Sequence, residues 1–413
     1  MPSDIPLPSV DPFRGEVHKQ NEALVAQVFG SIPLPDCVAQ ALNHAGVGVI
    51  THVPGFGASP CFDACGALMG PRAISFHEEV AFTIAHGSAL AGMRAATLLK
   101  PHGLAKAANS LVDALACGVT AGLVVLAFDD REGQHSDGIF DVAGLLQSLR
   151  LPIEALYPVN TYEAVLSAFE RSERWGLPVA VIVDSAEITR RESYQSRSLP
   201  PPVRGWQRDP GRQLVCPLFA YYQQQVLDAK LAGQDPQTIP RPPVPVIPDG
   251  LPAEWRGLIQ GYQPLFEAFK TTRREWTTGD TGLSALFALP PFDCVDLCTY
   301  MGGSIPLAIG GLLAGRQRVW AVTGDFAFVA AGHLGLLEVV NRWLPLKVLI
   351  VQNGISQATG GQRVPADLLA HALAGYESQV IRIRSDGDAA HVRSVLRRVA
   401  DTDAFQIVVA DVG

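Results

Sequence analysis

The chain has 413 residues, of which 48% are hydrophobic and 17% charged, and its formal net charge is −8. This length suits two or three domains of roughly 150 residues, and the charged fraction lies below the ~25% of an average soluble protein, which argues against disorder. No Lys/Arg cluster predicts a basic, nucleic-acid-binding face. No apolar run reaches the ~20 residues of a membrane span, and the N-terminus lacks the pattern of a secretory signal.

The cysteines predict free, buried thiols rather than disulfides or a metal cluster. Their number is odd, and their spacings match neither the short zinc motifs nor the iron–sulfur motifs. We therefore expect a cytoplasmic protein, because a reducing compartment keeps such thiols unpaired. The cysteines are Cys37, Cys61, Cys65, Cys117, Cys216, Cys294 and Cys298.

Residues 20–190 are predicted to form a first α/β domain behind an N-terminal extension at 1–19. Continuous apolar runs at 123–128 and 178–183 are followed by Asp129 and Asp184, and helical patterns separate such runs. Strands of this kind are typical of a parallel sheet that is covered by helices on both faces. Ligands of these sheets bind beyond the carboxyl ends of the strands.

The segment 191–270 is predicted to be a connector. Twelve of the 31 prolines lie between Pro200 and Pro252, a density that neither helices nor central strands tolerate. We expect an extended linker with one short helix around 218–232.

From 271 to 413 the α/β pattern returns. Strands are predicted at 319–323 and 347–351, with a helix between them, and later strands at 380–383 and 405–409. The fold class is therefore α/β, with two doubly wound parallel-sheet domains joined by a Pro-rich linker.

Two polar residues follow neighbouring strands of this second block. Gly324 and Asp325 end one strand and open a helix, and Asn353 ends the next strand. A helix N-terminus offers free N–H groups to phosphate, and carboxylate, amide and carbonyl oxygens suit Mg²⁺. Asp325, Asn353 and the carbonyl of Ile355 are thus candidates for a magnesium–diphosphate site. Gly-Asp and Asn-Gly are also common turn pairs, so an ordinary turn stays open as the alternative.

Further motifs favour the ligand site. They are His-Glu-Glu-Val-Ala at 77–81, Asp-Thr-Gly-Leu-Ser at 280–284 and Gly-Gly-Ser-Ile-Pro at 302–306. In this order they resemble the thiamine-diphosphate-dependent enzymes. The resemblance implies a pyrimidine-binding domain at 20–190, a diphosphate-binding domain at 271–413, and thiamine diphosphate with Mg²⁺ as cofactors.

Among these enzymes, the sequence most resembles the α-subunits of indolepyruvate ferredoxin oxidoreductases. It rests on Lys-Pro-His-Gly-Leu at 100–104, on the stretches 278–282 and 298–305, and on Ala-Thr-Gly-Gly-Gln at 358–362. Two features depart from that family. Phe326 stands where family members usually carry a small residue, and the cysteine cluster of the family's C-terminal iron–sulfur segment is not found before Gly413. This second departure favours lyase chemistry over internal electron transfer.

The resemblance also implies roles for individual residues. Asp325, Asn353 and the carbonyl of Ile355 would bind Mg²⁺, while Gly282, Leu283, Gly324 and Phe326 would line the diphosphate. Ile305 would hold the cofactor in its bent form, and the carbonyl of Gly303 would accept a hydrogen bond from the aminopyrimidine. Glu78 would hydrogen-bond the pyrimidine ring and assist its deprotonation chemistry. His102 and His135 are the candidates for proton transfer with substrate, although a purely structural role stays open for both.

The resulting expectation is a thiamine-diphosphate-dependent 2-oxo acid decarboxylase or carboligase. Its substrate would be an arylpyruvate such as indolepyruvate, and its product an aldehyde or, with an aldehyde or acyl-thioester acceptor, an acyloin. The alternatives are an oxidoreductase subunit that passes electrons to an iron–sulfur partner chain, and a non-catalytic binding subunit. A homodimer or homotetramer is expected, with each site built from the first domain of one chain and the last domain of another.

Overall fold

The computed structural model describes residues 28–203, 205–385 and 387–412. The predicted N-terminal extension at 1–19, and the first residues of the predicted first domain up to 27, lie outside this range. Two parallel sheets, each flanked by helices, form the two halves of the described chain. This arrangement confirms the predicted α/β fold class.

The first half is an α/β sandwich around the sheet β2–β6. Its strands are β1 (Val28–Pro33), β2 (Val49–His52), β3 (Ala95–Leu99), β4 (Leu123–Asp129), β5 (Ile153–Leu156), β6 (Val179–Asp184) and β7 (Arg191–Gln195). Its helices are α1 (Leu34–His44), α2 (Ala58–Met69), α3 (Glu78–Leu90), α4 (Pro101–Lys106), α5 (Ala108–Cys117), α6 (Val142–Ser148) and α7 (Thr161–Trp175). The parallel strands run in the order β2-β3-β4-β6-β5.

The central strands of this sheet are buried along their whole length, as their apolar sequences predict. Every residue of β3, β4 and β6 is buried. The antiparallel pair of β1 and β7 lies outside this sheet. Since β7 extends from Arg191 to Gln195, the ordered first half continues just past residue 190.

The connector carries more helix than its prolines predict. Its helices are α8 (Pro210–Gln213), α9 (Ala220–Leu231) and α10 (Ala253–Lys270). Helix α9 covers the predicted helix, whereas α10 was not expected, because Gly257, Gly261 and Pro264 interrupt its sequence. Packing outweighs those residues: α10 buries Ile259, Phe266 and other apolar side chains in a core that it shares with the second sheet.

The second half repeats the architecture of the first. Its strands are β8 (Trp276–Asp280), β9 (Leu297–Thr299), β10 (Val319–Gly324), β11 (Lys347–Gln352), β12 (Ile355–Ser356), β13 (Gln362–Arg363), β14 (Val380–Arg384) and β15 (Gln406–Asp411). Its helices are α11 (Leu283–Leu286), α12 (Ser304–Leu313), α13 (Asp325–Ala327), α14 (Leu334–Asn341), α15 (Ala366–Ala372) and α16 (Ala389–Ala400). The parallel order is β14-β15-β11-β10-β8-β9, and β12 and β13 form a small hairpin.

The two halves meet where α3 crosses α12. One apolar core continues from the first sheet through these helices into the second sheet. The helices approach closely because glycines lie at the crossing, namely Gly87 on α3 and Gly310 on α12. The crossing fixes the relative position of the two sheets.

Candidate functional site

A cavity of about 600 Å³ opens at the carboxyl ends of β8, β10 and β11. Strands β10 and β11 are parallel neighbours, with Gly324 paired to Val351. The residues that follow the two strands, Asp325 and Asn353, therefore lie side by side at the cavity wall. This is the position at which open parallel sheets bind their ligands.

Asp325 and the β11–β12 loop form a hydrogen-bonded set of oxygen atoms. Asp325 accepts the N–H of Phe326 on Oδ1 and that of Gly354 on Oδ2, both at 2.8 Å. Asn353 accepts the N–H of Ile355 on its Oδ1 at 3.0 Å. Burial raises the pKa of the Asp325 carboxyl, while the backbone donors oppose that rise. A divalent cation beside this carboxylate would favour its charged form.

The donor chemistry of this wall fits Mg²⁺. The wall offers a carboxylate, an amide oxygen and backbone carbonyls, which are the hard oxygen ligands that Mg²⁺ takes. Within the described residues, no group of three or more His, Cys, Asp or Glu side chains is placed to hold a metal ion. A metal at this wall would therefore be bound by few carboxylates together with amide, carbonyl and ligand oxygens.

Glycines leave room for a phosphate group along the same wall. Gly282 has φ +104° and Gly354 has φ +69°, conformations that L side chains rarely adopt. A Cβ atom placed on Gly282, Gly324 or Gly354 would meet nothing within 4 Å. Gly282 and Gly324 line the cavity, so an anion could approach the main chain there without meeting a side chain. The cavity thus fits a diphosphate together with its metal.

A buried carboxylate, Asp280, fixes the segments behind this wall. Its Oδ1 accepts the N–H of Ser304 at the start of α12, at 2.8 Å, and its Oδ2 accepts the hydroxyl of Thr323 on β10. Burial raises the pKa of Asp280 to about 6. Asp280 belongs to the predicted 280–284 motif, but its role in joining three segments follows only from the structure.

Most of the predicted cofactor residues line this one cavity. They are Gly282, Leu283, Gly324, Asp325, Phe326, Asn353 and Ile355. Phe326 is 38% exposed, so the bulky residue after Asp325 is accommodated at the cavity surface and does not fill the glycine-lined wall.

Gly303 and Ile305 do not line the cavity. Ile305 is fully buried and packs beside Gly335 of α14. The carbonyl of Gly303 accepts the N–H of Leu307 within α12, at 3.1 Å. The apolar side chain that does reach the cavity from this segment is Met301, which is 38% exposed. The two apolar side chains differ in this way because α12 starts at Ser304 and turns Ile305 into the core.

Glu78 lies at the N-terminus of α3, outside this cavity. Its carboxylate accepts a hydrogen bond from Lys106 Nζ at 3.1 Å and is 9% exposed. Gly103 packs against the Glu78 side chain, since a Cβ atom there would lie 2.8 Å from Glu78 Cγ. The structure therefore does not bring Glu78 and the Asp325 cavity of one chain together.

His102 lies beside Glu78, one residue before Gly103. Its ring packs edge-on against Phe140, with the centroids 5.5 Å apart. Its Nδ1 atom is buried and has no hydrogen-bond partner among the described residues.

His135 lies on the loop that follows β4. Its ring packs against that of Phe56, with the centroids 3.6 Å apart. The backbone N–H of His135 donates to Asp130 Oδ2 at 2.8 Å. Both histidines follow strands of the first sheet, at the edge where Glu78 lies. Neither lines the Asp325 cavity.

Comparisons with known proteins agree with this fold and this cavity. Residues 280–379 match the family of the thiamine pyrophosphate enzymes, in their C-terminal TPP binding domain. This match includes Gly282, Asp325 and Asn353, and it lies within the second half of the chain.

The chain is also homologous to indolepyruvate oxidoreductase subunits IorA. It is 29% identical to the subunit of Methanothermobacter thermautotrophicus over 192 residues, which are 45% of this chain and 31% of that protein. It is 28% identical to the Archaeoglobus fulgidus subunit over 218 residues, which are 48% of this chain and 33% of that protein. The chain thus spans about a third of the length of the curated relatives it matches.

Solved structures of thiamine-diphosphate enzymes share the fold over nearly the whole chain. The 4-hydroxybenzoylformate decarboxylase of Rhodococcus jostii superimposes with a TM-score of 0.61 at 14% identity, over 92% of this chain and 98% of that one. The benzoylformate decarboxylase of Polynucleobacter necessarius gives a TM-score of 0.62 at 10% identity, with the same coverage. None of the helices in the described ranges has the length and apolar character needed to cross a membrane.

Proposed function

We propose that this chain is a thiamine-diphosphate- and Mg²⁺-dependent 2-oxo acid decarboxylase or carboligase. The observation that carries the proposal is the cavity at the carboxyl ends of β10 and β11. It gathers Asp325, Asn353 and Ile355 around glycines that leave space for a diphosphate. Thiamine diphosphate supplies the nucleophile and the electron sink of such reactions.

The protein residues of the cavity would hold and orient the cofactor. Asp325, Asn353 Oδ1 and the carbonyl of Ile355 would bind the metal, and Gly282 and Gly324 would present backbone N–H groups to the diphosphate. We assign the apolar support of the bent cofactor to Met301 in place of Ile305, because Met301 is the side chain of this segment that reaches the cavity.

Glu78, His102 and His135 would be the groups that hold or transfer protons. Glu78, whose side chain is 9% exposed and packs against Gly103, would hold a proton at the pyrimidine ring nitrogen. His102, whose Nδ1 has no hydrogen-bond partner in the described part of the chain, would exchange a proton with the substrate or hold its carboxylate. His135 would do so from the opposite side of the same edge, once Phe56 moves off its ring.

The separation of Glu78 from the Asp325 cavity favours a site shared by two copies of the chain. The surface next to Glu78 supports this arrangement. Phe76 is 54% exposed, two residues before Glu78, and Trp343 at the end of α14 is 86% exposed. The N–H of Phe76 donates to Glu338 on α14 at 3.0 Å, so the segment before Glu78 is in contact with the helix that precedes Trp343. A homodimer would bury these exposed side chains and bring Glu78 of one copy to the cavity of the other.

The substrate class we propose is an arylpyruvate, with an aldehyde or an acyloin as product. The relatives in sequence are named for indolepyruvate, and structural neighbours are named for aromatic 2-oxo acids. Phe56, flanked by Gly55 and Gly57 and 36% exposed, offers a ring on which an aromatic substrate could stack. The acceptor for acyloin formation would be an aldehyde, whereas an acyl thioester would release its thiol and give an α-diketone.

A second candidate is an oxidoreductase subunit that transfers electrons to an iron–sulfur partner chain. The name and the 29% identity of the Methanothermobacter relative favour it. The two candidates share the cofactor site and differ in the fate of the electrons. We also propose the cytoplasm as the location, since all seven cysteines lie among the described residues as free thiols.

One experiment separates the two candidates. The purified chain is incubated with thiamine diphosphate, Mg²⁺ and a panel of aryl and alkyl 2-oxo acids, with and without an artificial electron acceptor such as methyl viologen. CO₂ release with aldehyde or acyloin formation in the absence of an acceptor supports the lyase proposal. Release that requires the acceptor, with a carboxylic acid as product, supports the oxidoreductase. No release under either condition contradicts both.

A further inference from the structure

Helix α10 of the connector places a tyrosine hydroxyl on the proposed metal ligand Asn353. Tyr262 is 6% exposed, and its hydroxyl oxygen accepts a hydrogen bond from Asn353 Nδ2 at 2.8 Å. The same hydroxyl donates to Gln357 Oε1 at 3.3 Å. Tyr262 therefore lies between two residues of the loop that borders the cavity.

These contacts decide which way the Asn353 amide points. The single proton of the Tyr262 hydroxyl is used by Gln357, so the oxygen presents a lone pair to Asn353. Only the NH₂ group of an amide can satisfy that lone pair. Asn353 must then direct Oδ1 away from α10, to the side on which it accepts the N–H of Ile355. The same loop donates from Gly354 to Asp325 Oδ2, and Asp325, Asn353 and Ile355 line one cavity, so Asn353 Oδ1 is available to a metal shared with Asp325.

We propose that Tyr262 is a positioning residue of the metal site, which orients the Asn353 amide so that its oxygen faces Mg²⁺. This inference rests on the proposed function, because it takes Asn353 as a metal ligand. Partners that orient metal ligands commonly change metal affinity 10- to 100-fold when they are removed. The connector is then part of the cofactor site and not only a tether between two domains.

Helix α10 also contacts the cavity through two side chains other than Tyr262. Trp255, two turns before Tyr262 on the same face, lines the cavity. Phe266, one turn after Tyr262, lines it as well and stacks on Phe287 with the ring centroids 3.7 Å apart. Because α10 is held against the cavity by these contacts, binding of the metal and cofactor should stabilise its docking, and docking should favour binding by the same factor.

The test measures Mg²⁺ affinity by calorimetric titration of the full chain in saturating thiamine diphosphate. We expect the Tyr262→Phe variant to bind Mg²⁺ about tenfold more weakly than the unmodified chain, since it loses the hydroxyl and keeps the ring. The matched control is Tyr222→Phe. Tyr222 is a connector tyrosine that is 7% exposed, and its hydroxyl contacts Arg241 and not the cavity. The control is expected to bind Mg²⁺ within twofold of the unmodified chain.

An amide-orienting role is separated from a structural role by a double-mutant cycle with Asn353→Asp. A carboxylate has an oxygen on both sides and needs no orientation. In that background, Tyr262→Phe should therefore lower the Mg²⁺ affinity by less than about twofold. An equal loss in both backgrounds would mean that Tyr262 acts only through packing, and the inference would be wrong. Unchanged Mg²⁺ affinity in Tyr262→Phe alone would also overturn it.

A second measurement uses the unmodified chain and does not depend on the folding of any variant. Limited trypsin digestion of the connector, at Arg256 and Lys270 in α10, is followed with and without Mg²⁺ and thiamine diphosphate. We expect the cofactor pair to slow cleavage at least fivefold, and cleavage at an unchanged rate would contradict the coupling. If the unmodified chain binds neither Mg²⁺ nor thiamine diphosphate, the proposed function itself fails. If it binds both but Tyr262→Phe and the digestion show no effect, only this inference fails.

Discussion

The hydroxyl of Ser88 on α3 lies 2.9 Å from the carbonyl oxygen of Gly310 on α12 and donates to it. This contact joins the two α/β halves at their closest approach. Around it, a Cβ atom on Gly310 would lie 2.2 Å from the carbonyl oxygen of Ile84, and one on Gly87 would lie 2.2 Å from that of Leu307. Main-chain atoms on both sides leave no room for side chains, so the glycines set the distance between the halves.

Gly310→Ala should therefore destabilise the protein. The added methyl group has to push backbone away from backbone, and overpacking of this kind costs about 1–3 kcal/mol or more. The control is Gly66→Ala in α2, where a Cβ atom meets nothing within 4 Å and a helical alanine should stabilise by about 0.5–1 kcal/mol. Urea denaturation measures both free energies of unfolding. Equal stability of the two variants would contradict the close-packed crossing.

The pH dependence of stability should report the buried carboxyl of Asp280. Burial raises its pKa from 3.8 to about 6 in the folded protein. A group with a raised folded pKa contributes stability that is fully present below the unfolded pKa and is lost as pH rises through the folded pKa. The free energy of unfolding should thus fall from pH 4 to pH 7, relative to Asp280→Asn, by an amount on the order of 2 kcal/mol.

The same experiment has an internal check. Asp113 on α5, which accepts the hydroxyl of Thr299 at 3.0 Å, also has its pKa raised to about 6 by burial. Asp113→Asn should reproduce the trend. A stability difference that stays constant between pH 4 and pH 7 would show that Asp280 is ionised throughout.

Glu78→Gln should retain the cofactor and lose turnover. Glutamine preserves a hydrogen bond to the pyrimidine ring but cannot exchange a proton there, and loss of such proton transfer costs roughly 10²–10⁴-fold in rate. Calorimetric titration measures thiamine diphosphate binding, and CO₂ release measures turnover. Glu79→Gln is the matched control, since Glu79 follows Glu78 on α3 and its carboxylate accepts a hydrogen bond from Asn109 of α5. Turnover that is unchanged in Glu78→Gln would remove Glu78 from the mechanism.

The Glu78 variant also tests whether two chains share a site. Neither a Glu78→Gln chain nor an Asp325→Asn chain should be active alone. When the two are mixed and allowed to exchange, a mixed dimer would contain one site with both native residues, and activity should return to about a quarter of that of the unmodified protein. Sites built within single chains would give no recovery.

The placement of Asp325 and Asn353 at one cavity wall could be predicted from sequence, because each residue follows a strand of the same parallel sheet. Asp325 and Asn353 follow continuous apolar strands, and parallel neighbours bring such positions together at one edge of a sheet. The pattern of apolar residues does not distinguish Met301 from Ile305. Both are apolar and lie four residues apart, and only the start of α12 at Ser304 decides that Met301 reaches the cavity.

The connector could not be predicted to the same extent. Gly257, Gly261 and Pro264 each weaken a helix prediction, yet α10 forms because Ile259, Tyr262 and Phe266 bury one face in the core of the second half. That spacing of three and four residues was the available signal. The contact between Tyr262 and Asn353 spans 91 positions of the chain, and no local pattern predicts a pair so distant.

The most direct test of this account is the equilibrium binding of thiamine diphosphate to the purified chain, with and without Mg²⁺, compared between the unmodified protein and Asp325→Asn. Asparagine keeps a polar side chain at the position but removes the charge that holds the metal, and the unfolding temperature of each apoprotein controls for misfolding. The account predicts binding that requires Mg²⁺ and is weakened at least roughly a hundredfold by the substitution. Binding that is independent of Mg²⁺ and equal in the two proteins would contradict it.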